Sequence, residues 1–183
     1  MSKIDQVWLG EIARSVARWF NDRHEKWKDI FNEAFIAVPV VEFLLREDES
    51  WCLLAEKNNQ EIVGDKSIKY AAYDIYATKD DESPLLIELK LLKPSKKSGA
   101  FVAGGAQNKS RVLKDVERLR NARDPCHRIL VVAVHSGVRD GDVLMNSLVK
   151  TISGEFSAHD ISGNIKVWVY YLKRPPRAAI STA

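Results

Sequence analysis

Apolar residues recur at helical spacing through the start of the chain. Ile4, Trp8, Ile12, Val16 and the pair Trp19–Phe20 fall on one stripe, with Lys3, Arg14 and Arg18 among the polar positions between them. Asp22-Arg-His-Glu25 has the spacing of a capping box, which predicts the start of a second helix there. Trp27, Ile30–Phe31, Ala34–Phe35 and Val38 continue its stripe. Proline lacks the amide donor of a helix interior, so Pro39 is expected to kink or restart this helix, leaving Val40–Leu45 as its last turns.

The period then changes. Trp51–Ala55 is a short apolar run, Tyr70–Ala77 is rich in aromatics, and Leu85–Leu92 is almost wholly apolar. Polar residues around Gly64 and the turn segment Asp80-Asp-Glu-Ser-Pro84 separate them, which predicts three strands joined as hairpins. Lys93–Gly105 holds Pro94, Gly99, Gly104 and Gly105 and is expected to be a mobile loop. Beyond it, Val112–Leu113, Val116 and Leu119 mark an amphipathic helix, Arg128–Val134 a buried strand, Gly141–Ile152 another helix and Ile165–Leu172 a last strand. Lys173–Ala183 is expected to be a loose tail. Helices, three strands, helix, strand, helix, strand is the order of an α/β fold with a mixed central sheet flanked by helices.

Composition narrows the class. With 183 residues, 45% hydrophobic and 29% charged, the chain suits one domain: residues 1–49 as N-terminal helices, 50–135 as the core, 136–173 as a C-terminal helix and strand, and 174–183 as the tail. The two cysteines, Cys52 and Cys126, form no CxxC pair and support neither a zinc finger nor a disulfide framework. The start lacks the apolar stretch of a signal peptide, and the apolar runs are too short to span a bilayer, so a cytoplasmic location is expected. No GxxxxGK[ST] is present, which argues against an ATP-driven motor. Ser95, Ser98 and Ser110 lack a nucleophile-elbow setting, and His24, His127, His135 and His159 lack metal-ligand spacing.

The chemistry lies in two strands. In Leu85-Leu-Ile-Glu-Leu-Lys-Leu-Leu92, alternation puts Glu88 and Lys90 on one face, between Leu86 and Leu92. A buried ion carries a desolvation penalty of roughly several kcal/mol unless it is well paired. A divalent cation would satisfy the carboxylate and an anionic substrate the lysine. One hairpin earlier, Asp74 is the single acid in Tyr70-Ala-Ala-Tyr-Asp-Ile-Tyr-Ala77. Counting outward from the turn at Asp80–Ser83 sets Asp74 opposite Glu88 on the neighbouring antiparallel strand. Two carboxylates with a lysine beside them make a hard-oxygen site suited to magnesium and to phosphoryl displacement. The competing reading is an edge strand that carries its charges toward water.

Asp74, followed after thirteen residues by Glu88-Leu89-Lys90, resembles the D…ExK signature of the PD-(D/E)XK nuclease superfamily, the restriction-endonuclease-like fold. The resemblance covers roughly residues 40–135 and includes element order: an αβββαβ core, here with an N-terminal helical extension. It implies that Asp74 and Glu88 hold magnesium, for which manganese can substitute, and that Lys90 positions or activates the attacking water. Cleavage of DNA to 5′-phosphate ends is the implied activity, by a homodimer or larger nuclease assembly where both strands are cut. The proline that often precedes the Asp is Tyr73 here. Many members also carry an acid on the helix before the first strand. Glu42, the lone charge in Val40–Leu45, is the choice here, with Glu33 the rival and Glu56 a further option.

The helix after the loop carries a stripe of its own. Gln107, Arg111, Lys114 and Arg118 share about one quadrant, opposite Val112, Val116 and Leu119. Some family members place a glutamine on this helix beside the metal, a role that would fall to Gln107. From Lys90 to Arg123 there are 10 basic and 2 acidic residues, a net +8 in a chain of net +3. That concentration is the footprint of phosphate-backbone binding, with Gln107, Lys109, Arg111, Lys114 and Arg118 as the expected contacts. Alternatively the stripe is an ordinary solvated face, in which Arg111–Asp115 and Asp115–Arg118 pair at helical spacing. Two functional classes follow: a magnesium-dependent nuclease acting on DNA, or a non-catalytic nucleic-acid-binding or protein-interaction module on the same fold.

Overall fold

The computed structural model describes residues 4–27, 33–58, 72–80, 82–92, 105–122, 125–135, 138, 141–152, 157–163 and 165–173. Within these, the side chains of 24–27, 55–58, 72, 105–108, 141, 144, 157–159 and 161–162 lie outside the description. The expected loop lies outside the described residues as far as 104, and the tail from 174 onward.

Two helices open the chain, α1 (Gln6–Trp27) and α2 (Ala34–Glu47). The strands β1 (Cys52–Asn58), β2 (Ala72–Thr78) and β3 (Leu85–Leu92) follow. Next come α3 (Gly105–Arg120), β4 (His127–His135), α4 (Gly141–Thr151), β5 (Ser157–Ser162) and β6 (Ile165–Tyr171). The strands form one six-stranded sheet in the order β1-β2-β3-β4-β6-β5. β3 and β4 are parallel, linked through α3, and every other pairing is antiparallel. The architecture is therefore α/β, with a mixed sheet between two helical layers.

Alternation along the central strands sorts the core. Ile87, Leu89, Ile129, Val131 and Ala133 face α1 and α2, where they meet Leu9, Ile12, Val16, Val40 and Phe43. Leu86, Leu92, Leu130, Val132 and Val134 face α3 and α4, where they meet Val112, Val116, Leu119, Met145 and Leu148. β3 and β4 are thus covered on both sides, which is why their sequences read as nearly continuous apolar runs.

Three expectations change. Asp22 does not start a helix, because α1 runs unbroken from Gln6 to Trp27. Pro39 does not restart one either: α2 passes through it, and Ile36, Pro39, Val40, Phe43 and Leu44 form one buried stripe. The added element is β5, a polar edge strand whose hairpin with β6 closes through Gly163 at φ 54°. Its sequence, Ser-Ala-His-Asp-Ile-Ser, lacks the apolar alternation that marks a strand. Among the described residues no helix is long and apolar enough to cross a membrane.

Candidate functional site

The site forms where β2 and β3 part. Their ladder runs from Ala77–Leu85 to Ile75–Ile87. One step further the register brings Asp74 level with Glu88, as counting from the turn predicted. There the Asp74 carboxylate, through Oδ2, accepts the Leu89 amide N–H at 2.7 Å, so a side chain takes a donor that the ladder would otherwise engage. The face alternation of β2 also breaks here. Ile75 packs toward α1 and α2, whereas both Tyr73 and Tyr76 pack toward α3 and α4. Tyr73 is fully buried and its hydroxyl donates to the Arg118 carbonyl at 3.4 Å. A proline at this position would offer neither contact.

Glu88 has the most constrained environment in the cluster. Its side chain is 1% exposed, set on β3 between the buried Leu86 and Leu92 side chains. Oε2 accepts from the Arg118 guanidinium, while Oε1 is buried without a hydrogen-bond partner among the described residues. Burial pushes the carboxyl up to about 9, against the pull of Arg118 and with the repulsion of Asp74 and Asp115 added.

Lys90 shares the Glu88 face, as alternation requires. Its ammonium lies 2.8 Å from Glu33 Oε1 and 3.1 Å from Asp115 Oδ2. Burial draws its pKa down, but the Glu33 and Asp115 carboxylates more than offset this and leave it above the usual lysine value. Lys90 is therefore a fixed cation. Arg118 closes the network, since its guanidinium also donates to Asp115 Oδ1 at 3.0 Å. Four acids and two bases, Glu33, Asp74, Glu88, Asp115, Lys90 and Arg118, thus meet at the parting of two strands.

This arrangement reassigns several residues. Glu42 is exposed, because the single phase of α2 buries 36, 39, 40, 43 and 44 and turns position 42 outward. Glu33, immediately before α2, is the acid that reaches Lys90. The side chains of Glu56 and Gln107 lie outside the described residues. On α3, Arg111 and Lys114 are exposed, as both a phosphate-binding face and an ordinary solvated face expect. Lys109 instead donates to Ser147 Oγ on α4 at 2.6 Å. Arg118, 27% exposed, turns inward to Glu88 and Asp115 and does not extend the solvent-facing stripe.

Asp115 belongs to the site, although the sequence reading treated it only as a pairing partner. It had a visible signal: one acid on the face of Val112, Val116 and Leu119, where spacing places it against the sheet. The side chains of His24 and His159 lie outside the described residues. His127 pairs its Nδ1 with the Tyr171 hydroxyl at 3.0 Å, and burial lowers its pKa.

Comparison with protein-family models, curated proteins and solved structures returns no match. The chemistry of the cluster is therefore argued from its own donors. Among the described residues no group of three or more His, Cys, Asp or Glu is placed to hold a metal ion. A magnesium ion does not require three, since it is commonly held by one or two carboxylates and keeps several waters. Asp74 and Glu88, level with one another on neighbouring strands, are the two carboxylates that would take that role. Glu88 supplies an oxygen with no hydrogen-bond partner among the described residues, and a divalent cation would relieve the repulsion that Asp74 and Asp115 exert on it.

Proposed function

We propose that this chain is a metal-dependent nuclease of the PD-(D/E)XK type, hydrolysing phosphodiester bonds in DNA. The observation that carries this reading is the meeting of Asp74, Glu88 and Lys90 at the point where β2 and β3 separate, with one oxygen of the wholly buried Glu88 left without a hydrogen-bond partner among the described residues. Asp74 and Glu88 would hold magnesium, or manganese in its place, which when bound supplies Lewis-acid charge for displacement at phosphorus.

The remaining work falls to side chains of the chain itself. Lys90, kept cationic by Glu33 and Asp115, donates hydrogen bonds to the attacking water and offsets negative charge developing on the phosphoryl oxygens. It does not serve as the general base, because its raised pKa keeps the ammonium protonated. Glu33 and Asp115 hold it from two sides, so its direction is set before substrate arrives. Arg111 and Lys114 on the exposed face of α3 provide phosphate contacts along the nucleic-acid backbone.

A second reading, a non-catalytic nucleic-acid-binding or interaction module, is favoured by one observation. Lys90 and Arg118 are already paired within the cluster, so neither cation requires an external anion. Incubation of the protein with supercoiled plasmid and magnesium separates the two. Nicking that disappears with EDTA, and falls by roughly 100-fold or more in Lys90→Ala, is expected of the enzyme. Salt-sensitive binding to the plasmid without any nicking would leave the module.

A further inference from the structure

Arg118 occupies an unusual place for a residue of a basic helix face. Arg111, two turns before it, is exposed, and so is Lys114, yet the Arg118 guanidinium is drawn onto Glu88 Oε2 and Asp115 Oδ1. It is thereby the hydrogen-bond partner of the most deeply buried acid of the cluster. Glu88 has only two oxygens. Arg118 takes one, and the other is buried without a hydrogen-bond partner among the described residues. Two positive charges against a single carboxylate repel one another strongly where water is scarce. Full ligation of a cation by Glu88 and retention of the Arg118 pair therefore oppose each other.

We propose that Arg118 is a resident competitor of the divalent cation: its guanidinium holds Glu88 while the site is empty of metal, and binding of the cation releases it toward the solvent face of α3. This inference rests on the assignment of Asp74 and Glu88 as metal ligands. The released side chain need travel little. It is already 27% exposed and belongs by helical spacing to the stripe of Arg111 and Lys114, where a phosphate group is its natural partner. Asp115 serves as the hinge of the exchange, because it pairs with Arg118 through one oxygen and Lys90 through the other and so keeps a cation beside it when Arg118 leaves.

Calorimetric titration of the full chain with manganese alone, without nucleic acid, tests the competition. Arg118→Gln keeps a hydrogen-bond donor for Glu88 and removes the charge; it is expected to bind manganese roughly tenfold more tightly than the unmodified chain. Arg118→Lys retains the charge and is expected to bind much as the unmodified chain does. If Arg118→Gln is too unstable to titrate, the same comparison is made with Arg118→Met by the rise in melting temperature on adding manganese, expected to exceed that of the unmodified chain. Binding by the unmodified chain with equal or weaker binding in the neutral variants overturns the competition and leaves the metal site standing. Binding in the neutral variants alone supports the competition in its strongest form. Absence of binding throughout, or its survival undiminished in Glu88→Gln, overturns both the competition and the assignment of the ligands.

Discussion

Glu88 has a cost of its own in the metal-free fold, and its pH dependence follows from that. An ordinary glutamate titrates near 4.5, and burial raises this one to about 9. Between those values the native chain binds a proton that the unfolded chain releases. The stability contributed by the protonated carboxyl is fully present below about 4.5 and is lost as pH rises through about 9. Glu88→Gln mimics the protonated form at every pH. In metal-free buffer it is expected to raise stability at pH 8–9 by on the order of 1–3 kcal/mol, with little change near pH 4.5, as read from denaturant melts across pH. Equal melts for both chains at high pH would show that the carboxylate is solvated or fully compensated. Under the proposed function, binding of a metal ion to the native fold would offset the loss of stability at high pH.

At the level of elements, helix phase and strand register decide what one residue can touch. The stripe 36, 39, 40, 43, 44 needs an uninterrupted α2, and in that phase Glu42 cannot face the sheet. The sequence reading allowed Pro39 to break the helix and so lost the phase. Register, by contrast, was readable: the midpoint of the β2–β3 turn sets Ile75 against Ile87 and Asp74 against Glu88. The β5–β6 hairpin was overlooked because its outer strand is polar, although the Ser162–Ile165 pair encloses a two-residue turn that begins with Gly163. A Cβ on Gly163 would stand 2.5 Å from Asn21 Oδ1 of α1, in a backbone conformation that L-residues adopt at a cost. Gly163→Ala is expected to destabilise the fold by about 1–2 kcal/mol in chemical denaturation. A loss close to zero would mean that the turn relaxes and the Asn21 amide swings aside.

Across the whole molecule, charge and layering work together. The segment Lys90–Arg123 holds the net +8, and the sheet places its first residue, Lys90, beside the buried acids while α3 carries Arg111 and Lys114 outward. Under the proposed function a polyanion would be drawn to Arg111 and Lys114, which share α3 with Asp115 of the cluster. Removing Arg111 or Lys114 is expected to weaken DNA binding about equally for all sequences and to lower the salt slope of log K by roughly one per residue, measured by anisotropy over a salt series. An unchanged slope in both variants would place the nucleic-acid surface elsewhere.

The sequence by itself determined the α/β class, the strand that carries Glu88 and Lys90, and the partner position of Asp74. Period-two alternation and a short turn are local constraints, and they fix the face and register of neighbouring strands without reference to the rest of the chain. Tertiary structure decided the rest: that Glu33 and not Glu42 meets Lys90, that Asp115 joins the site, and that Arg118 turns in toward Glu88. Each of those contacts joins side chains from elements far apart in the chain. Their meeting depends on how helices are phased and seated on the sheet, and the competition between burial, charge and packing that settles this exists only once the layers have closed.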